Sequence, residues 1–201
     1  YLDRAKKHGL WVIYSLKDFW RDGHFPEEKY ATGADYAREA YVGKLKDHPA
    51  LLAWMIGNEP DVAWQDNVTP ERYAELYHEL YALLKAADPS CRIAIAGVAQ
   101  PTPLRLAYLE RVLEAYQARY GAPIPVDVWN IHGFVLREER DSWGIGIPPG
   151  FDVDTGVLYE IEELPMAEVA EVVRCPLQTA YSRLHAARRQ VRALLESRTD
   201  E

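Results

Sequence analysis

Four short apolar runs, at residues 10–16, 50–56, 92–98 and 126–132, are separated by longer stretches whose apolar residues recur at helical spacing. No other feature of this chain constrains its fold as much. The run 50–56 carries no charge and no polar alternation, the pattern of a strand buried on both faces of a parallel sheet. The segments between the runs predict helices. One ends at Gly9, and one spans 33–47 with Tyr36, Ala40 and Leu45 on its apolar side. A third opens at Pro70 and carries Tyr73, Leu76, Tyr77, Leu80, Leu83 and Leu84 through residue 87, where Asp88-Pro89 stops it; a fourth covers 103–120. Strands alternating with helices imply right-handed βαβ units. The expected class is α/β, with about four parallel strands.

The pattern changes after Gly150. Residues 151–156 read as a turn-like stretch, 166–173 as a short helix, 174–176 as a tight turn and 177–195 as a longer helix, with no further strand. Between Arg174 and Leu195 stand five arginines and no acid, although the whole chain has a net charge of −8. A boundary therefore falls between 151 and 164, giving domains 1–156 and 157–201. The acidic balance argues against nucleic-acid binding by the chain as a whole, and leaves that one basic segment as the exception. No stretch reaches the roughly 20 apolar residues of a membrane span. Cys91 and Cys175 lie far apart and offer neither an expected bridge nor metal-ligand spacing, so no metal or cofactor is expected. The chain starts inside a helical pattern without an initiator methionine, which reads as a fragment or a processed chain.

Polar groups follow the apolar runs: Lys17-Asp18 after the first, Asn58-Glu59 after the second, Ala99-Gln100 after the third, with His132 closing the fourth. In parallel α/β folds, sites form at the carboxyl ends of the strands. Glu59, with an amide before it and Pro60 behind it, is a catalytic candidate; the same carboxylate would also suit the start of a following helix. Trp20, Trp64 and Trp143 in the loops suit stacking on sugar rings. Trp143 also fits a plain loop anchor, and His132 a hydrogen-bonded core histidine.

Taken together, the motifs at 48–60 (His-Pro-Ala-Leu-Leu-Ala-Trp-Met-Ile-Gly-Asn-Glu-Pro) and 127–132 (Asp-Val-Trp-Asn-Ile-His) resemble clan A glycoside hydrolases over about residues 1–155. These are retaining β-glycosidases on an eight-fold (β/α) barrel. The resemblance implies a partial barrel carrying strands three to six. It makes Glu59 the general acid/base, sets Asn58 on the sugar 2-hydroxyl, lines the site with His132, and gives a β-linked oligosaccharide or glycoside as ligand. Retention needs two carboxyl groups about 5–5.5 Å apart. In this family the nucleophile is a Glu on strand seven, and strands one, two, seven and eight have no counterpart in the chain. Asp18, Asp61 and Glu138 lie in loops without a recognisable partner. Hydrolysis by the covalent route is therefore expected to be lost, and open barrel edges would favour self-association.

Residues 164–184 have helix-turn-helix spacing, with Ala170 at the crossing and Val169, Val173, Leu177 and Leu184 as a small core. Gln178, Thr179, Tyr181, Ser182 and Arg183 would enter a major groove, and Arg188, Arg189 and Arg192 would meet phosphates. A plain amphipathic hairpin with a solvated basic face fits the same spacing. The residues 164–170 and 175–188 resemble region four of sigma-70-family factors of the extracytoplasmic-function type, over about 157–196. That resemblance implies recognition of a −35 promoter element, with double-stranded DNA and RNA polymerase as partners. Tyr181 departs from the basic residue common there, and the absence of region two removes the expectation of transcription initiation. The two resemblances together describe a bacterial chimera, cytoplasmic if the sigma-like part is used and secreted if it follows the hydrolase parent. The alternatives are a DNA-binding module alone and a composite chain with no function.

Overall fold

The computed structural model describes residues 1–17, 26–134, 136–141, 143–154, 176, 178 and 179. The chain divides into two units, Tyr1–Val157 and Leu158–Glu201. The first is a mixed α/β unit built on a three-stranded parallel sheet, β1 (Val12–Leu16), β2 (Leu51–Ile56) and β3 (Ile93–Ile95), in that spatial order. Its helices, in chain order, are α1 (Leu2–Lys7), α2 (Gly33–Tyr36), α3 (Gly43–Leu45), α4 (Pro70–Ala87) and α5 (Pro103–Tyr120); a π-helical segment, Ala37–Val42, joins α2 to α3.

Register explains the layering. Tyr14 lies opposite Trp54 and Leu16 opposite Ile56; Trp54 and Ile56 in turn face Ile93 and Ile95. These residues share one face of the pleat. They join Tyr73, Leu76, Tyr77, Leu80 and Leu84 of α4 and Tyr108, Val112 and Tyr116 of α5 in one core. Tyr14 meets Trp54 edge-on at 5.6 Å between ring centres. The opposite face is less covered than the apolar runs suggest: Ile13 is 47% exposed.

Local chemistry sets the ends of the two long helices. Thr69 caps α4, its hydroxyl accepting from Arg72 N–H at 3.4 Å, and Pro70 occupies the first turn. Gly121, at φ +70°, ends α5 with its N–H on Gln117 C=O.

The expected fourth strand does not form. Residues 126–132 touch the sheet through a single parallel bridge, Ala94 to Val128. The cause is Asp127, whose carboxylate takes Ile93 N–H at 2.9 Å and Lys85 Nζ at 3.2 Å. Asp127 N–H and Val128 N–H then crowd onto the one Ile93 carbonyl, so no regular ladder follows. β3 also stops earlier than the apolar run 92–98, because Ala96 N–H is taken by the Tyr73 hydroxyl of α4 at 2.9 Å. The expected helices at 166–173 and 177–195 lie outside the described residues, apart from the helical pair Gln178 and Thr179.

Candidate functional site

The carboxyl end of β2 turns sharply through two residues in the left-handed region, Gly57 (φ +87°) and Glu59 (φ +49°). For Gly57 this conformation is free of strain; for Glu59 it costs on the order of 1 kcal/mol. The neighbours fix the turn. Leu16 C=O accepts Gly57 N–H at 2.7 Å, and Ser15 Oγ donates to Gly57 C=O at 2.9 Å, so the end of β1 holds the end of β2. From the other face, Tyr73 donates its hydroxyl to Ile56 C=O at 2.7 Å while accepting Ala96 N–H. One phenol thus ties the carboxyl ends of β2 and β3 together.

The turn brings Glu59 to His132. Glu59 Oε1 and His132 Nδ1 are 2.6 Å apart, a short hydrogen bond between a carboxyl group and an imidazole. The imidazole is placed by backbone: His132 N–H donates to Val98 C=O at 3.0 Å. The ring also packs directly on Gly97, where an added Cβ would come within 2.8 Å of His132 Cδ2. Phe134 stands edge-on to the ring at 6.0 Å. Glu59 is buried and His132 half-buried. Among the described residues, no hydrogen bond engages the second oxygen of Glu59.

Asn58 joins the same arrangement. Its side-chain amide donates to Gln65 Oε1 at 3.3 Å, which also accepts Lys17 Nζ at 3.2 Å. Its backbone N–H donates to the Asp66 carboxylate. The structure therefore brings Glu59 and His132 together, while the adjacent Asn58 is held by Gln65 and Asp66, and Lys17 meets the same Gln65. Trp64 and Trp143 are both exposed, at 60% and 64%. Trp20 and Asp18 lie outside the described residues. Of the DNA-facing set, Gln178 is exposed and Thr179 N–H donates to Pro176 C=O at 2.8 Å. Tyr181, Ser182, Arg183, Arg188, Arg189 and Arg192 lie outside the described residues.

Asp61 and Glu138 do have a partner, and it is structural. Arg105, fully buried at the start of α5, donates Nε to Glu138 Oε1 at 2.8 Å and Nη1 to Asp61 Oδ2 at 3.1 Å. It also reaches the Asp61 and Ile145 carbonyls. Thr102 donates its hydroxyl to Glu138 at 2.8 Å instead of capping α5. Burial pushes the Asp61 carboxyl up, against the pull of the Arg105 guanidinium. Gln100 is likewise committed, exchanging two hydrogen bonds with the Leu136 backbone. Through Arg105 these two carboxylates brace the loops that carry them. A helical stripe gives Arg105 away in the sequence: it begins the buried series 105, 108, 112, 116 on α5.

Among the described residues no group of three or more His, Cys, Asp or Glu side chains could hold a metal. No family model and no curated protein matches the sequence. Solved structures similar to the chain include two glycoside-cleaving enzymes. One is a GH128 (subgroup II) endo-β-1,3-glucanase from Pseudomonas viridiflava, at 18% identity and a TM-score of 0.46, over 66% of this chain and 46% of that one. The other is a glucosidase from Croceicoccus marinus, at 19% identity and a TM-score of 0.46, over 64% of this chain and 27% of that one. The chain thus spans less than half the length of either.

Proposed function

We propose that residues 1–156 form part of a glycoside hydrolase-like (β/α) barrel whose Glu59 site binds a β-linked oligosaccharide. The observation that carries this reading is the 2.6 Å Glu59–His132 bond at the carboxyl end of a parallel strand, where α/β folds place their ligands. The Asn58-Glu59-Pro60 motif supports it. Glu59 keeps one oxygen from which a carboxyl proton can be donated to a glycosidic oxygen while the other stays hydrogen-bonded to His132, and Asn58, steadied by Gln65, offers its amide to a sugar hydroxyl. Trp64 and Trp143 are exposed faces on which pyranose rings can stack. The retaining mechanism needs a second carboxyl group about 5–5.5 Å from the first. Asp61 and Glu138 are spent on Arg105. Glu59 therefore acts as half of a catalytic pair, and the described residues bind sugar without cleaving it by the covalent route.

Titrating the chain with laminaritetraose and with cellotetraose while following tryptophan fluorescence tests the binding. A saturable change that weakens at least tenfold in Glu59→Ala supports the reading; no change with either sugar sinks it.

The basic segment carries a second proposal, that residues 157–201 form a helix-turn-helix binding double-stranded DNA of the −35 promoter type. Its support is the run of five arginines without an acid between Arg174 and Leu195. Binding to such a duplex should fall steeply with salt and weaken in Arg183→Ala. Salt-independent binding, or none, would discard this proposal and leave the first untouched.

A further inference from the structure

We propose that Asp66 is the positioning residue of the Glu59 site, the group that holds the Gly57-Asn58-Glu59 turn in the conformation that delivers Glu59 to His132. The proposal deepens the sugar-site reading and rests on it for its functional meaning. Its geometry stands alone.

The loop after Glu59 leaves the sheet and comes straight back. Val62 N–H donates to Glu59 C=O at 3.1 Å, Asn67 N–H to Val62 C=O at 3.2 Å, and Val68 N–H to Pro60 C=O at 2.9 Å. From α5, Tyr108 donates its hydroxyl to Val68 C=O, anchoring the returning end. Asn67 takes the left-handed region at φ +51° to make the return. The effect is to place Asp66, only 1% exposed, beneath the end of β2.

There its Oδ2 accepts Asn58 N–H, inside the turn. The fit leaves no room to spare. A Cβ on Gly57 would sit 2.7 Å from Asp66 Oδ2, 3.3 Å from Tyr73 Cε2 and 3.4 Å from Ala96 Cβ. Gly57 is thus required twice, by its φ and by the carboxylate that fills the space of its missing side chain. The preceding residue, Gln65, holds the Asn58 side chain, so the pair Gln65–Asp66 grips Asn58 by both its amides. A buried carboxylate accepting a backbone N–H in this way is a strong, directional tie. Glu59 lies one residue beyond the gripped amide, in a strained φ that persists only while its surroundings enforce it. Without the Asp66 acceptor the turn can relax out of the left-handed region, which swings the Glu59 carboxylate away from the imidazole.

The proton in the Glu59–His132 bond is the reporter. In nuclear magnetic resonance of the full chain it should give a low-field imidazole signal, assigned by its loss in Glu59→Ala. Asp66→Asn keeps an oxygen at the acceptor position and should retain the signal. Asp66→Ala should lose it while helical circular dichroism stays at the wild-type level, and the oligosaccharide affinity should fall at least tenfold with it. If Asp66→Ala does not fold, Asp66→Ser and Gly57→Ala carry the test, and both should lose the signal. A folded Asp66→Ala or Asp66→Ser chain that keeps the signal overturns the proposal, as does its loss in a folded Asp66→Asn. A wild-type signal that obeys this pattern in a chain that binds no sugar would sink the functional reading and leave the positioning role standing.

Discussion

Two carboxylate clusters start within three residues of each other in the loop after β2, and they do opposite things. Glu59 meets one partner, His132, whose side chain is 24% exposed, across a single 2.6 Å bond. Asp61 meets Arg105 in full burial, and the same guanidinium takes Glu138 from a loop more than thirty residues further on. The first cluster has an imidazole partner and keeps some access to solvent, with Glu59 7% exposed and His132 half-buried. The second has a permanently charged partner, and its ties run to the backbone carbonyls of the loops it joins. The two carboxylates are thus distinguished by their partners and their access, and hardly at all by their places in the sequence.

The largest effect should come from the bracing cluster. Arg105→Met leaves two buried carboxylates without a cation, and should lower stability by about 3–5 kcal/mol in urea unfolding. The deficit should depend on pH with a definite sign. Burial already raises the Asp61 carboxyl in the folded state. A raised folded-state pKa contributes stability below the unfolded value and loses it as pH rises through the folded value. The variant should therefore recover part of its deficit as pH falls toward about 4. A deficit unchanged with pH would show that the carboxylates are not what Arg105 holds.

A smaller loss should follow Tyr73→Phe. Removing the hydroxyl leaves Ile56 C=O and Ala96 N–H buried and unpaired, for about 1–3 kcal/mol by thermal or urea unfolding. Because the phenol ties the strand ends beneath the site, oligosaccharide affinity should weaken as well. The smallest effect on stability should come from the Glu59–His132 cluster. Glu59→Gln keeps shape and one hydrogen bond to His132, and should change stability by less than about 1 kcal/mol. A loss as large as that of Arg105→Met would put Glu59 with the braces and erase the contrast.

Much of the scaffold was legible in the sequence, for identifiable reasons. The bounds of α4 and α5 are written in Pro70, Asp88-Pro89, Pro103 and Gly121, which act on local backbone and need no tertiary context. The three strands are legible as apolar runs. The fourth is not, because one side chain, Asp127, diverts the Ile93 N–H that a ladder would use. Glu59 and His132 stand out as polar residues at the ends of such runs. Their grips do not: Gln65 and Asp66 become neighbours of Asn58 only when the loop closes at Val68 and Pro60. A closing loop has no periodicity to betray it. Glu138 was visible only as a loop acid, since the guanidinium that claims it comes from a helix more than thirty residues earlier in the chain.

Release of the aryl group from an aryl β-glycoside, followed in the wild-type chain and in Glu59→Gln, tests most directly whether Glu59 is half of a catalytic pair. The expected result is no release above buffer from either chain. Release by the wild type that Glu59→Gln abolishes would contradict it, and would require a second carboxylate at the site.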